Sequence, residues 1–367
     1  MIYNTIKDII PHFFFRGTYQ SGTELHSGNI NTTYHFVNTE QGVPRHYLLQ
    51  RVNAYVFKEP ERVMQNIARV TEHLRTRLIE EGQDPERRVL DIIPTRSGLL
   101  LHKDANGNFW RSYTFINGAT AYDTVSTPAL FKEVGCAFGT FQRLLTDFPV
   151  EDLYEAIPDF HNTKKRFFAL MRAVDENVAG RADDVDEEIE FMFDRRKMMS
   201  SIVRLIDSGA LPLRVTHNDT KSNNVMLDDE TNKALCVVDL DTVMPGSVLY
   251  DYGDAIRFGA STAAEDEPDV SKISLDLDKT RAFTEGFIQE TSGFLTENEL
   301  HLLPLGIKVI TCELAMRFFT DYLNGDRYFK VNSPTHNLIR TRAQIALLKD
   351  VERKEAEIQK MVDELIH

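Results

Sequence analysis

Asp219, Lys221 and Asn224 stand together in the run His217-Asn218-Asp219-Thr220-Lys221-Ser222-Asn223-Asn224, and Asp239 follows in Cys236-Val237-Val238-Asp239-Leu240-Asp241. A carboxylate, an ammonium, an amide oxygen and a second carboxylate are the parts that phosphoryl transfer asks of a protein. One group accepts the acceptor's hydroxyl proton, a cation meets the moving phosphate, and oxygens hold magnesium. The spacing is that of the loop H-x-D-x-K-x-x-N. Asp219 reads as the base, Lys221 as the phosphate cation, and Asn224 and Asp239 as magnesium ligands. Magnesium is hard and octahedral and keeps several waters, so one amide and one carboxylate beside ATP phosphates suffice.

Two short strands must position these groups. The apolar residues before Asp239 predict that it projects from a strand end, and period-two alternation predicts that Asp239 and Asp241 share one face while Val238 and Leu240 face the core. A plain hairpin with turn residues Asp228, Asp229, Thr231 and Asn232 would carry the same acids as solvated charges. Any one Asp fits that reading as well; Asp219, Lys221, Asn224 and Asp239 taken jointly, with strand context on both sides, favour the site.

Upstream the chain is β-rich. An amphipathic helix over residues 1–16 precedes two strands joined by a tight turn within Ser21 to Phe36. There Gly28 would let backbone N–H groups approach phosphates, with Asn31 and Thr32 beside it. Arg45 to Val52 is the strand on which a lysine for ATP is expected, and it holds none; Gln50 or Arg51 would substitute from opposite faces. A helix over 60–81 and strands over 89–93, 99–102 and 109–116 follow, the last two joined by Asp104-Ala105-Asn106-Gly107. Trp110 reads as core. Asn117-Gly118 suits a hinge whose backbone adenine could bond.

From Pro128 the periodicity becomes helical, with one long helix over 189–206, a capping box at Thr296-Glu297-Asn298-Glu299 opening a helix to Leu323, and an amphipathic helix over 339–366. The pattern predicts an α+β, bilobal, protein-kinase-like fold: a β-rich nucleotide-binding lobe over residues 1–117 and a helical lobe over 118–367 carrying the catalytic loop and the acceptor site. Between Asp239 and Asp254 there is no long polar segment with phosphorylatable sites, which disfavours a protein substrate and favours a small molecule.

The 367 residues carry a net charge of −14 and no block of Lys and Arg, which argues against nucleic acid or an anionic membrane as partner. Three cysteines, far apart, fit neither a disulfide framework nor a cysteine zinc site and suit a reducing, cytoplasmic setting. Neither a signal peptide nor an apolar run near the ~20 residues of a membrane span is present. Monomer and homodimer both stay open.

The H-x-D-x-x-x-x-N loop, the later Asp and Gly253-Asp254 resemble the aminoglycoside phosphotransferase and choline kinase superfamily. Asn29-Ile30-Asn31-Thr32-Thr33-Tyr34, Leu213 to Asn224, Asp239 to Ser247, Asp251 to Thr262 and Met316 to Phe329 resemble its bacterial members acting on N-acetylhexosamines. The resemblance runs over nearly the whole chain. It implies ATP- and magnesium-dependent phosphorylation of the anomeric hydroxyl of N-acetylglucosamine or N-acetylgalactosamine, with Asp219 as base, Asn224 and Asp239 on magnesium, and Asn29, Asp219, Asp241, Arg317 and Tyr328 toward the sugar. Asn29 replaces the histidine that contacts the sugar in those members, and an amide donates and accepts with a different reach. Arg317 and Asp321, at i and i+4, would equally form an intrahelical pair, and Tyr328 would equally be packing. Transfer to another alcohol, such as an aminoglycoside, choline or a different sugar, and a nucleotide-binding module without catalysis are the other readings.

Overall fold

Aromatic and β-branched residues alternating with polar ones build the first half of the fold, which a computed structural model describes for residues 2–25 and 30–366, the side chains of 2–5 aside. It is an α+β protein with an antiparallel sheet toward its N-terminus and helices toward its C-terminus. The chain divides into two compact units.

Unit 1 comprises residues 1–120, 147–158 and 226–244. After α1 (Ile2–Ile9), strands β1 (Thr18–Leu25), β2 (Thr32–Glu40) and β3 (Val43–Val52) form a meander; β4 (His102–Lys103) and β5 (Phe109–Thr114) complete an antiparallel sheet in the order β1-β2-β3-β5-β4. One face buries Phe36, Tyr47, Leu49 and Trp110 against Ile6, Ile9 and Phe13. The turn before β5 forms as its residues dictate: Gly107 takes φ +83°, and the Asp104 carboxylate accepts from the backbone N–H of Asn106 and Asn108 and from Trp110 Nε1. Residues 89–93 make only a bridge, Ile92 to Tyr113, instead of the expected strand, because Pro94 has no N–H to extend a ladder.

Helix α2 (Pro60–Glu80) explains why the unit is discontinuous in sequence where composition suggests one boundary near residue 117. Buried Asn66 donates Nδ2 to the carbonyls of Tyr154 and Val243 and accepts the N–H of Tyr154, which fastens both returning segments. Strands β6 (Ala119–Ala121), β8 (Val225–Asp228) and β9 (Ala234–Val237) form a small second sheet in the order β6-β8-β9.

Unit 2 comprises 121–146, 159–225 and 245–367. Its helices are α3 (Pro128–Leu144), α4 (Thr163–Glu176), α8 (Val248–Gly259), α9 (Leu277–Thr291) and α11 (Leu303–Leu323), with β7 (Arg214–Thr216) paired to β10 (Met244–Gly246) before α8. The long helix expected over 189–206 is three pieces, α5 (Asp186–Asp194), α6 (Arg196–Met199) and α7 (Ser201–Asp207). Ser200 and Ser201 hydroxyls bond the carbonyls of Lys197 and Met198 and compete with helical bonding. The Thr296 capping box forms, but it opens only α10 (Glu297–His301); Pro304, lacking an N–H, forces a fresh start at α11. The closing helix is likewise two, α12 (His336–Arg353) and α13 (Glu355–Ile366), parted at Lys354, whose ammonium bonds Asp350, Ser274 and the Leu275 carbonyl. None of the described helices is long and apolar enough to cross a membrane.

Helices α8 and α11 touch backbone to backbone. A Cβ on Gly253 would lie 2.3 Å from the Gly306 carbonyl oxygen, and one on Gly306 would lie 2.2 Å from that of Leu249. Gly253→Ala should therefore lower stability by about 1–3 kcal/mol or more, the cost of overpacking a rigid contact. The urea midpoint should fall with an unchanged denaturant slope; an unchanged midpoint would contradict this packing.

Candidate active site

The catalytic-loop candidates sit on backbone that Asp251, in the first turn of α8, holds from beneath. His217 and Asn218 donate their backbone N–H groups to its carboxylate at 2.9 and 2.7 Å, Gln142 Nε2 donates to it at 2.7 Å, and Thr220 Oγ1 donates to the Asp251 carbonyl at 2.6 Å. Asp251 is buried, and burial raises its pKa against the opposing pull of His217 and these N–H groups. Asn218 takes φ +64°, a left-handed turn that Asn tolerates better than most residues.

Beyond that turn, Lys221 Nζ meets Asp219 Oδ1 at 2.9 Å with both side chains about a third exposed. Burial disfavours the Asp219 carboxylate, but the charge and hydrogen bond of Lys221 outweigh it and hold the pKa below the usual carboxylate range. Lys221 is correspondingly raised: burial opposes its charge, and Asp219 and Asp254 overcome that. An ionised carboxylate beside an ammonium can accept a proton, and the ammonium can face a phosphate. Asn224 Nδ2 donates to the Asp219 carbonyl at 2.8 Å and to Asp219 Oδ2 at 3.3 Å. Its amide is thus oriented with Oδ1 as the remaining atom, and a neutral oxygen beside a carboxylate is the donor type that a hard cation takes. Among the described residues no three His, Cys, Asp or Glu side chains cluster as a metal site, so phosphate oxygens and water would have to supply the other ligands.

Unit 1 carries its own polar cluster, on the sheet face opposite the aromatic core. Strand β9 ends at Val237, Asp239 takes φ +57°, and Leu240 to Thr242 form a turn of 3₁₀ helix. Asp239 and Asp241 therefore do not alternate along one strand, contrary to the sequence pattern. Long-range pairing decides the path: buried Asp241 receives Arg111 bidentately, Nη1 to Oδ1 and Nη2 to Oδ2 at 2.9 Å, and accepts Asn31 Nδ2 at 2.7 Å. Arg111 Nε donates to Gln50 Oε1 at 2.9 Å, and Gln50 Nε2 donates to Thr33 Oγ1. Burial opposes the guanidinium's charge, but Asp241 more than compensates and its pKa rises.

These bonds engage several expected nucleotide ligands inside the protein. Gln50 serves Arg111 and Thr33, Asn31 bridges Asp241 and the Asn53 N–H, Thr32 Oγ1 accepts from Arg51, and the Asn117 carbonyl accepts from Arg87. Both Asp241 oxygens are likewise engaged. Gly28 and Asn29 lie outside the described residues.

On α11, Arg317 does not pair with Asp321. That carboxylate accepts the backbone N–H groups of Arg327, Tyr328 and Phe329 and Asn337 Nδ2, and so fixes the loop that presents Tyr328, 54% exposed. The Arg317 guanidinium instead lies 5.1 and 5.7 Å from the ring centroids of Phe160 and Phe329. One helical turn earlier, fully buried Glu313 meets His161 Nδ1 at 3.0 Å and Arg166 Nε at 3.3 Å. Burial and the charge of Arg317 push Arg166 down to about 10. The sequence reading missed Arg111, His161, Arg166, Glu313 and the role of Asp251. A charged residue inside the strand Phe109 to Thr114 was the one local signal, and it marked Arg111.

The profile of a phosphotransferase enzyme family matches residues 21–285. The chain belongs to that family. Its fold is similar to that of a spectinomycin phosphotransferase crystallised with ADP and spectinomycin (12% identity, TM-score 0.57, 96% of this chain and 98% of that one). A choline kinase from Cryptosporidium parvum (12%, 0.56, 95% and 93%) and an ethanolamine kinase from Plasmodium vivax (13%, 0.53, 88% and 82%) share it. With these structures the chain shares the fold.

Lys221→Met removes the largest of the influences that oppose burial at Asp219 and leaves only the weaker pull of His217 and Arg257, so the Asp219 carboxyl, followed by its ¹³C shift against pH, should titrate at higher pH than in the parent; an unmoved midpoint would contradict the pairing. Arg111→Met strands a buried carboxylate and should cost about 3–5 kcal/mol, of which Arg111→Met with Asp241→Leu recovers most. Equal stability of the single and double variants in urea would show that the pair does not constrain this loop.

Proposed function

We propose that this phosphotransferase is an ATP- and magnesium-dependent N-acetylhexosamine 1-kinase that phosphorylates the anomeric hydroxyl of N-acetylglucosamine or N-acetylgalactosamine. The observation that supports this acceptor class best is the guanidinium of Arg317, which lies near two aromatic rings, has Arg166 close by and makes no ion pair with a carboxylate among the described residues. Cationic acceptors such as choline, ethanolamine or an aminoglycoside call for an acidic wall. A neutral sugar offers hydroxyl and carbonyl oxygens that a guanidinium can bond.

In this reading Asp219 accepts the anomeric proton as the sugar oxygen bonds to the γ-phosphorus, and the bond from that phosphorus to the β-phosphate oxygen breaks to release ADP. Lys221, paired with Asp219 before substrate enters, turns its charge to the phosphate. Asn224 and Asp239 are the residues to hold magnesium, which when bound neutralises charge on the triphosphate oxygens. Base assistance supplies typically ~10²- to 10⁴-fold, so positioning and charge neutralisation must supply the rest.

ADP release measured across N-acetylhexosamines, hexoses, amino alcohols and aminoglycosides tests the proposal. Turnover should be greatest with an N-acetylhexosamine and should fall at least ~10²-fold in Asp219→Asn while nucleotide affinity holds. Turnover with the amino alcohols or aminoglycosides and none with N-acetylhexosamines would overturn it.

A further inference from the structure

His161 is a buried side chain that the reaction as described leaves without a task. It precedes α4, and its side chain is 9% exposed. Nδ1 sits 3.0 and 3.1 Å from the two oxygens of Glu313, the ring stacks on Tyr250 at 4.7 Å between centroids, and Nε2 is buried with no hydrogen-bond partner. Buried polar atoms in folded proteins are almost always satisfied, and an exception calls for an explanation.

The neighbours suggest one. Glu313 is wholly buried and paired with Arg166, and as a carboxylate it accepts only. Nδ1 must then carry the proton. In the neutral ring the other nitrogen keeps its lone pair, an acceptor fixed in direction by Glu313 on one edge and Tyr250 on one face. The Arg317 guanidinium lies over Phe160, the residue adjoining His161, whose ring is 4.6 Å from the imidazole. Tyr250 adjoins Asp251, which holds the backbone of the catalytic loop. The His161 ring and the Arg317 guanidinium thus each lie against the Phe160 ring.

We propose that His161 is an acceptor-binding residue: Nε2 takes a hydrogen bond from a hydroxyl of the sugar while Arg317 donates to an oxygen of the same molecule, and Glu313 is the positioning residue that sets the tautomer. A polyhydroxylated acceptor supplies both partners; an acceptor with a single hydroxyl does not. The inference rests on the sugar-kinase reading for the name of the acceptor.

The test uses His161→Asn, whose amide N–H can replace Nδ1–H toward Glu313 but which has no atom at Nε2, and His161→Phe, which keeps the ring on Tyr250. Both are assayed with the best acceptor from the panel and its singly deoxygenated analogues. KM for the acceptor should rise about 3- to 10-fold with KM for ATP within about twofold, the size expected for the loss of one hydrogen bond. One deoxy analogue that the parent enzyme discriminates against should become equivalent to the full acceptor in the variants. Acceptor KM within about twofold of the parent in a variant with a normal melting temperature would overturn the proposal, as would undiminished discrimination against every deoxy analogue. If the best acceptor is not an N-acetylhexosamine, the function reading fails by itself, and the His161 result is read on the acceptor that was found.

Discussion

The carboxylate of Asp251, buried at the start of α8, is the constraint on which the backbone of the candidate catalytic loop depends. By accepting the N–H groups of His217 and Asn218 it replaces the partners that this irregular backbone loses on leaving β7, and by doing so it fixes the turn that presents Asp219, Lys221 and Asn224. Helix α8 is itself located by the glycine contact with α11. Because α11 also carries Glu313, Arg317 and Asp321, a single helix pair sets the candidate catalytic loop and the residues proposed to receive the acceptor.

The first unit solves a different problem with the same means. Its third strand lacks the lysine that would ordinarily meet a nucleotide, and its buried cation is Arg111, satisfied by Asp241 and Gln50. A buried pair of this kind gives little net stability, since desolvation offsets most of the attraction, yet removing one partner is costly. Its consequence is conformational: it holds the 239–242 turn against the sheet, with Asp239 in a left-handed conformation that an isolated strand end would not adopt.

Local chemistry was legible in the sequence where local spacing decides the structure. The Asp219 to Asn224 interval, the Asp104 to Gly107 turn, the Thr296 capping box and the mixed α+β class each depend on a few neighbouring residues. The departures trace to contacts far apart in the chain. Asp239 and Asp241 read as strand because alternation is a local signal, whereas Arg111 and Asn31 bend that segment into a turn. Asn31 and Gln50 carry the right atoms for a nucleotide, but their bonds to Asp241 and Arg111 appear only once the sheet register brings Gln50 opposite Arg111. Arg317 and Asp321 have the spacing of an intrahelical pair, and three backbone N–H groups from the following loop take the carboxylate instead. Helix breaks at Ser200, Pro304 and Lys354 interrupt patterns whose apolar periodicity runs on unbroken.

The central claim is that the acceptor oxygen is the anomeric one of an N-acetylhexosamine, with Asp219 taking its proton. The most direct measurement is the phosphorus NMR spectrum of the product formed from ATP and N-acetylglucosamine. The account predicts a phosphomonoester resonance split by coupling to the anomeric proton; a phosphate resonance without that coupling, at any other position of the sugar, would contradict it.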